Sequence, residues 1–120
     1  MDELRAWIGR EEERRDLVTE GLLARFRATL ESRVAVSEDI APRGLHWCLC
    51  TPEDAMSALG ADGHPRTGGF LPPVPLPRRM WASGVVDFLA PIRRGAAIRR
   101  RSRVAAVSEK RGKSGAMIFV

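Results

Sequence analysis

The sequence predicts an α+β fold in which short helices come first and an antiparallel β-meander follows. Two patterns support this order. An apolar stripe at helical spacing lies before residue 31, whereas the chain beyond residue 80 alternates apolar extended segments with polar turns. With 120 residues the chain is long enough for a modest core, and we expect residues 1–120 to form one domain.

Two helices are predicted near the start of the chain. The first runs from Asp2 to about Ile8, where Gly9 ends it. The polar run from Arg10 to Asp16 is expected to be solvated. Thr19 is then the predicted N-cap of a second helix that covers Glu20 to about Glu31. The residues that give this helix its apolar stripe are Leu22, Leu23, Phe26 and Leu30.

The middle of the chain shows weaker periodicity. Ser32 to Gly44 is predicted to be irregular, with turns at its end. Leu45 to Cys50 is bulky and bounded by turn residues, which favours a strand or a buried extended segment. Thr51 to Asp54 is typical of a helix start, so we expect a brief helix that ends at the turn Gly60–Gly63. His64 to Pro77 is predicted to be a loop.

The remainder of the chain is predicted to be β. Trp81 to Leu89 forms a first strand, and Ala97 to Ser108 forms a longer second strand after the turn Arg93–Gly95. Lys110 to Gly115 is a polar hairpin loop, and Ala116 to Val120 opens a third strand. Because the chain stops on an apolar strand, we expect a fragment of a longer protein or a strand completed by another chain.

The net charge of +5 is concentrated at the end of the chain. Residues 91–120 carry 9 basic side chains against one acidic side chain, Glu109. This distribution favours a polyanionic partner such as a phosphate-bearing cofactor, a nucleic acid or an acidic surface. No apolar run approaches the ~20 residues of a membrane-spanning helix, and the first residues lack a secretory signal pattern. We therefore expect a cytoplasmic protein with reduced cysteines and no membrane partner.

The histidines and cysteines near the middle of the chain are the candidates for a metal site or a catalytic pair. His46, Cys48 and Cys50 alternate, so on a strand they would share a face and, with His64, could bind zinc. The Cys-x-Cys spacing is shorter than the spacing of cysteine pairs in common zinc sites. The favoured interpretation is therefore that the two thiols are buried and that the histidine is hydrogen-bonded. A Cys–His nucleophile lacks an orienting third residue. Asp39 and His46 form the one acid–base couple near a predicted turn, and neither a metal nor a catalytic pair is predicted.

The proline-rich loop is the most specific feature of the sequence. Four of the eight prolines lie between Pro72 and Pro77, so this segment can be neither a helix nor a central strand. It must be a stiff connector that leads to Arg78, Arg79 and Trp81. Two guanidinium groups on a pre-ordered backbone suit phosphate or carboxylate recognition, and an exposed arginine pair is the alternative.

A second basic feature lies on the predicted second strand. Arg99, Arg101 and Arg103 share one face of that strand. A solvated sheet face is the default interpretation. Nucleic-acid binding is the alternative, although this region lacks the interleaved aromatic residues of single-strand binders.

The proline-rich loop and its flanks also resemble a known family. Residues Gly60 to Ala82, GADGHPRTGGFLPPVPLPRRMWA, resemble the MaoC-like dehydratases, and more narrowly their mesaconyl-CoA and 3-methylfumaryl-CoA hydratase group. Leu4 to Arg10 and Arg100 to Val104 resemble the opening helix and the basic strand of that group. The similarity therefore covers nearly the whole chain.

This resemblance implies a hot-dog fold, in which an antiparallel sheet wraps a central helix. It also implies an acyl-CoA hydratase or dehydratase module, which acts on an α,β-unsaturated CoA thioester such as mesaconyl-CoA. Members of the group carry two such modules, and an Asp and a His of the second activate water. This chain has no counterpart of that motif, and Asp39 and His46 lie roughly where the first module has a degenerate version. We therefore expect half of a two-module enzyme, with no catalytic residue and no cofactor besides the CoA thioester substrate.

The resemblance also implies a set of substrate-binding residues. Arg78 and Arg79 would contact a phosphate or an acyl carboxylate, Phe70 and Trp81 would form an apolar wall, and His46 completes the set. The expected partners are an acyl-CoA substrate and a second hot-dog module, or further copies in a homo-oligomer. Two alternatives stay open: a non-catalytic acyl-CoA-binding or dimerisation module, and an Arg-rich nucleic-acid-binding protein.

Overall fold

The computed structural model of the chain describes residues 1–33 and 37–120. Its helices and strands are α1 (Asp2–Arg5), β1 (Glu11–Leu17), α2 (Glu20–Leu30), β2 (Ala97–Arg103), β3 (Ser108–Gly112) and β4 (Gly115–Phe119), with short 3-10 helices at Glu31–Arg33, Leu45–Cys48 and Met56–Ala58. In the described residues β1 pairs with β2 and β3 pairs with β4, which gives two two-stranded sheets. The predicted α+β class is confirmed, and the wrapping of one sheet around a central helix stays a prediction.

The chain divides into two compact units. The first unit comprises residues 1–13, 52–81 and 101–120, and the second comprises residues 14–51 and 82–100. Each unit has its own apolar cluster. The buried members of the first cluster are Leu4, Val104 and Val107. Those of the second cluster are Val18, Leu23, Ala41, Leu45, Leu49 and Cys50.

Helix α2 confirms the prediction to within one residue. The hydroxyl of Thr19 accepts the N–H of Leu22 at 3.1 Å, which satisfies one of the donors left free at a helix start. Leu23 is buried in the second cluster, and Leu22 and Phe26 pack against it. The helix ends at Leu30 because Glu31 has a φ of 49°, outside the helical range.

Strand β1 corrects the prediction of a merely solvated polar run. Its residues alternate between exposed and half-buried, which is the period of a strand. The stems of long charged side chains can be half-buried while their charged ends stay in water. Three glutamates lie in β1, and four arginines lie in the neighbouring strand β2. Opposite charges on neighbouring strands stabilise a sheet, and a search for apolar alternation does not detect that pattern.

The hairpin at the end of the chain was predicted with a loop that is too long. β3 and β4 pair antiparallel from Ser108↔Phe119 to Gly112↔Gly115, so only Lys113 and Ser114 connect them. The predicted single strand from Ala97 to Ser108 is divided. β2 ends at Arg103. Val104 still exchanges backbone hydrogen bonds with Gly9 and Arg10, just before β1, and Val104 and Val107 are buried in the first cluster.

Three further predictions are wrong in detail. The first helix ends at Arg5, and turns continue to Gly9. Leu45–Cys48 is a 3-10 helix and not a strand. The next helix is Met56–Ala58, whose N-cap is Ala55 without a side-chain cap, so Thr51 does not begin it. These segments are only three or four residues long, and tertiary packing decides their conformation more than local preference does.

Other boundaries agree with the prediction. The turns Gly60–Gly63 and Arg93–Gly95 form, and His64 to Pro77 contains neither helix nor strand. Trp81 to Leu89, in contrast, pairs with no strand in the described part of the chain. The predicted irregular segment from Ser32 to Gly44 includes residues 34–36, which lie outside the described residues. Among the helices that the structure describes, none is long and apolar enough to cross a bilayer.

Candidate functional site

The proline-rich loop is anchored to the first unit by apolar contacts. Pro72 is fully buried, and Phe70 and Val74 pack half-buried against the cluster of Leu4, Val104 and Val107. The N–H of Gly68 donates to the carbonyl oxygen of Leu71 at 2.8 Å, which closes a turn at the start of the loop. Phe70, predicted as part of an apolar wall, therefore holds the loop on the core of this unit.

Arg79 ties the end of the loop to the turn at Gly60–Gly63. Its guanidinium lies 3.4 Å from a carboxylate oxygen of Asp62 and donates to the carbonyl oxygen of Pro65 at 3.3 Å. Asp62 also accepts the N–H of His64 at 3.0 Å. This N–H bond is the main reason why the pKa of Asp62 lies below its usual value, and the charge of Arg79 lowers that pKa further. Asp62 was not predicted as a site residue, although its place before glycine in a turn is typical of a side chain that orders a loop.

Arg78 and Trp81 are presented to solvent beside this anchor. Trp81 is 80% exposed. Arg78 is also exposed and makes no hydrogen bond or ion pair with the described residues. Of the predicted arginine pair, Arg79 thus positions the loop and Arg78 is available to a ligand.

His46 lies in the second unit, inside an aromatic group. Its ring centroid is 4.6 Å from that of Trp47 and 5.6 Å from that of Phe88, which meets it edge-on. The guanidinium of Arg43 lies over the ring of Phe88, 4.9 Å from its centroid. Gly44 starts the 3-10 helix with a φ of 100°, where a side chain would be strained. Phe88 was not predicted as a neighbour of His46, because 42 residues separate them.

The buried nitrogen of His46 corrects the expectation of a hydrogen-bonded histidine. Nε2 is buried and has no hydrogen-bond partner among the described residues. A buried polar atom without a partner is costly, and such atoms are uncommon in folded proteins. This nitrogen can therefore form a hydrogen bond with a ligand group that reaches it.

The two cysteines do not form the predicted pair of buried thiols. Cys48 is exposed and Cys50 is buried, because the 3-10 helix breaks the alternation that a strand would impose. Cys50 has a φ of 56°, and its N–H donates to a carboxylate oxygen of Asp16 at 2.8 Å. That bond and a second one from the N–H of Leu17 lower the pKa of Asp16.

No group of three or more His, Cys, Asp or Glu side chains in the described ranges has the arrangement of a metal site.

Asp39 and His46 do not form an acid–base couple in the described residues. The carboxylate of Asp39 accepts a hydrogen bond at 3.3 Å from Arg94, whose other terminal nitrogen donates to Glu20 at 3.1 Å. His46 contacts aromatic rings instead. Asp39 therefore joins a surface ion-pair network of the second unit.

An open depression of about 650 Å³ lies on the second unit at the ends of β1 and β2. None of the predicted substrate-binding residues lines it. The residues that line it are Arg15, Asp16, Leu17, Thr19, Ala97, Ile98 and Arg99. On β2, the predicted basic face is observed as exposed residues at alternate positions, namely Arg99, Arg101 and Arg103.

Comparisons with known proteins identify the family. The sequence model of the hydroxyacyl-thioester dehydratase type 2 family matches residues 44–120. Mesaconyl-C(4)-CoA hydratase of Chloroflexus aurantiacus is 38% identical over 117 residues, which cover 96% of this chain. The chain spans 42% of the length of that hydratase. The predicted resemblance to hot-dog dehydratases and hydratases is thereby confirmed, and the chain belongs to the hydroxyacyl-thioester dehydratase family.

Proposed function

We propose that the chain is one module of an acyl-CoA hydratase, which helps to hold a CoA thioester and requires a second hot-dog module for turnover. The observation that carries this proposal is the 38% identity with a mesaconyl-CoA hydratase across 96% of the chain, which corresponds to only 42% of the relative. A mesaconyl thioester, which carries a free carboxylate as well as CoA, is the proposed substrate.

The proposed need for a second module follows from the chemistry of hydration. Water adds its oxygen to the β-carbon of the double bond while a proton is delivered to the α-carbon, so a base must activate the water and an acid must supply the proton. In the described residues Asp39 is bound to Arg94, and His46 has no carboxylate partner. The second module would therefore supply the catalytic Asp and His.

Arg78 is the proposed anchor for an anionic part of the substrate. The loop that carries it is fixed at both ends, by the buried Pro72 and by the pair between Arg79 and Asp62. A guanidinium group on a pre-ordered backbone binds a carboxylate or phosphate with little further loss of conformational entropy. Trp81 would lie beside the acyl chain or the pantetheine arm as an apolar surface.

His46 is the proposed polar contact of the second unit. Its free Nε2 would form a hydrogen bond with a polar atom of the thioester. The aromatic rings of Trp47 and Phe88 would surround that bond with apolar surface. Exclusion of water strengthens a hydrogen bond of this kind.

Calorimetry with a mesaconyl-CoA thioester tests the proposal on the whole chain. We expect binding that weakens about tenfold in the Arg78→Met variant, because a charge-assisted hydrogen bond is lost. Arg25→Met is the matched control, since Arg25 is an exposed arginine on α2 and its loss changes the net charge by the same amount. Equal weakening in both variants would indicate only general attraction between opposite charges. If the thioester does not bind and RNA binds with a steep salt dependence, the proposal is wrong and the nucleic-acid alternative is supported.

A further inference from the structure

The turn at Gly60–Gly63 is built around the carboxylate of Asp62. Its Oδ1 accepts the N–H of His64 at 3.0 Å, and a Cβ added to Gly60 would lie 3.2 Å from the same oxygen. The N–H of Gly60 donates to the carbonyl oxygen of His64 at 2.7 Å, which closes the turn. A side-chain oxygen that accepts a backbone N–H two residues later is a typical means of ordering a turn. The carboxylate of Asp62 is therefore held at a fixed place in the first unit.

Arg79 binds the second oxygen of this carboxylate. Its Nη2 lies 3.4 Å from Oδ2 of Asp62 and donates to the carbonyl oxygen of Pro65 at 3.3 Å. Both side chains of the ion pair are 37% exposed, so solvent screens their attraction and the pair adds little to the stability of the unit. The consequence of the pair is instead the position of the chain segment that carries Arg79.

The segment from residue 75 to residue 81 has no other polar attachment in the described ranges. Just before it, the N–H of Val74 donates to the carbonyl oxygen of Pro72 at 2.8 Å. Beyond Val74, no N–H or carbonyl group up to residue 91 makes a backbone–backbone hydrogen bond within the described part of the chain. Arg78 and Trp81 lie in this segment and are exposed. The place of Arg78 therefore depends on the ion pair of its neighbour, Arg79.

We infer that Asp62 is a positioning residue that makes the loop specific for a thioester with a free carboxylate on its acyl group. Asp62 holds Arg79, and Arg79 holds the backbone that presents the guanidinium of Arg78 to that carboxylate. This inference rests on the proposed function, in which Arg78 anchors an anionic part of the substrate. One planar guanidinium group matches one carboxylate through two parallel hydrogen bonds. A segment that is not held in place must be ordered when the ligand binds, and that cost weakens binding.

Calorimetry with two thioesters measures this specificity on the whole chain. Mesaconyl-C(4)-CoA carries the free carboxylate, and 3-methylcrotonyl-CoA carries a methyl group in its place. We expect the parent chain to bind the first about tenfold more tightly, because only the first makes the charge-assisted hydrogen bond to Arg78. Asp62→Asn keeps the size of the side chain and removes its charge. It should weaken binding of mesaconyl-C(4)-CoA about fivefold, the upper end for loss of an exposed ion pair, and leave 3-methylcrotonyl-CoA unchanged.

Two further variants show whether Asp62 acts through Arg78. When Arg78→Met is already present, adding Asp62→Asn should change the affinity for mesaconyl-C(4)-CoA by less than about twofold, because the group that Asp62 positions is absent. Asp2→Asn is the matched control, since Asp2 also lies in the first unit, has a carboxylate oxygen 3.6 Å from Arg5 and loses the same charge. We expect this control to bind both thioesters as the parent chain does. Equal weakening in Asp2→Asn and Asp62→Asn would indicate only the change in net charge and would overturn the inference.

The remaining outcomes distinguish the inference from the proposed function. If Asp62→Asn binds mesaconyl-C(4)-CoA as tightly as the parent chain or more tightly, Asp62 does not position Arg78, and the inference is wrong while the proposed function stands. Equal weakening for both thioesters would also refute the inference, since it would indicate general damage to the fold. If neither thioester binds the parent chain, the proposed function is wrong and the inference is wrong with it.

Discussion

Replacing Leu45 with alanine tests whether the second unit has a packed core of its own. Leu45 has no solvent exposure and lies in the cluster with Val18 and Leu23. The substitution removes three carbon atoms, worth about 2.4 kcal/mol of transfer free energy at ~0.8 kcal/mol for each. The cavity that is left adds to this cost, so the free energy of unfolding should fall by about 3–4 kcal/mol. That loss is a large fraction of the 5–15 kcal/mol that stabilises a typical domain.

The assay is urea unfolding, followed by circular dichroism, of the parent chain and the variant. Met56→Ala is the control, because Met56 is 87% exposed and its truncation should change stability by less than about 0.5 kcal/mol. Hydrogen exchange of the Leu49 amide, which donates to the carbonyl oxygen of His46, is a second measurement within the unit. A loss below about 1 kcal/mol for Leu45→Ala would show that Leu45 does not lie in a tightly packed core, because the surroundings would then collapse or be solvated at little cost.

Three further predictions concern single side chains. Thr19→Ala removes the cap of α2 and should lower the free energy of unfolding by about 1 kcal/mol in the same urea assay, whereas an unchanged value would mean that the cap contributes nothing. The pKa of Asp16 is lower in the folded chain than its usual value of 3.8, so the carboxylate stabilises the fold above that pH and this contribution is lost as the pH falls below it. Urea midpoints measured at several acidic pH values should therefore decline less steeply with falling pH in Asp16→Asn than in the parent chain. Identical slopes would show that Asp16 contributes nothing to the pH dependence of stability. His46→Phe keeps an aromatic ring and removes the nitrogen without a partner, so stability in urea should stay equal or rise, and a loss above about 1 kcal/mol would show that Nε2 is satisfied in the folded chain.

The parts of the fold that were predicted correctly depend on local signals. Helix α2 follows from a hydroxyl cap at Thr19 and from apolar residues at helical spacing, and both act within four residues. The turns at Gly60–Gly63 and Arg93–Gly95 follow from glycine, which adopts a positive φ readily. The hairpin of β3 and β4 follows from two strands that are adjacent in sequence.

The parts that were missed depend on contacts distant in sequence. β1 is a strand because β2 lies beside it, some eighty residues later along the chain. The 3-10 helix Leu45–Cys48 forms where Leu45 and Leu49 can both enter the second cluster. No local pattern carries this information, which is why the polar and bulky segments were interpreted wrongly.

The candidate site was predicted by resemblance more than by physical pattern. Arg79 was expected to bind a ligand, and the structure shows that it pairs with Asp62 and holds the loop. His46 was predicted as a substrate-binding residue. Its edge-on contact with Phe88 could not be predicted, because the two residues meet only in the folded chain. The type of a residue indicates which ligand groups it can bind. Its side-chain partners depend on segments that are distant in sequence and are known only from the structure.

The most direct test of the central claim is hydration of mesaconyl-CoA, measured by loss of the unsaturated thioester's absorbance. We expect no turnover by this chain alone. We expect turnover when this chain is joined, as one polypeptide, to the part of the Chloroflexus aurantiacus hydratase that lies outside the match. Hydration by the chain alone would contradict the claim that a second module supplies the catalytic groups.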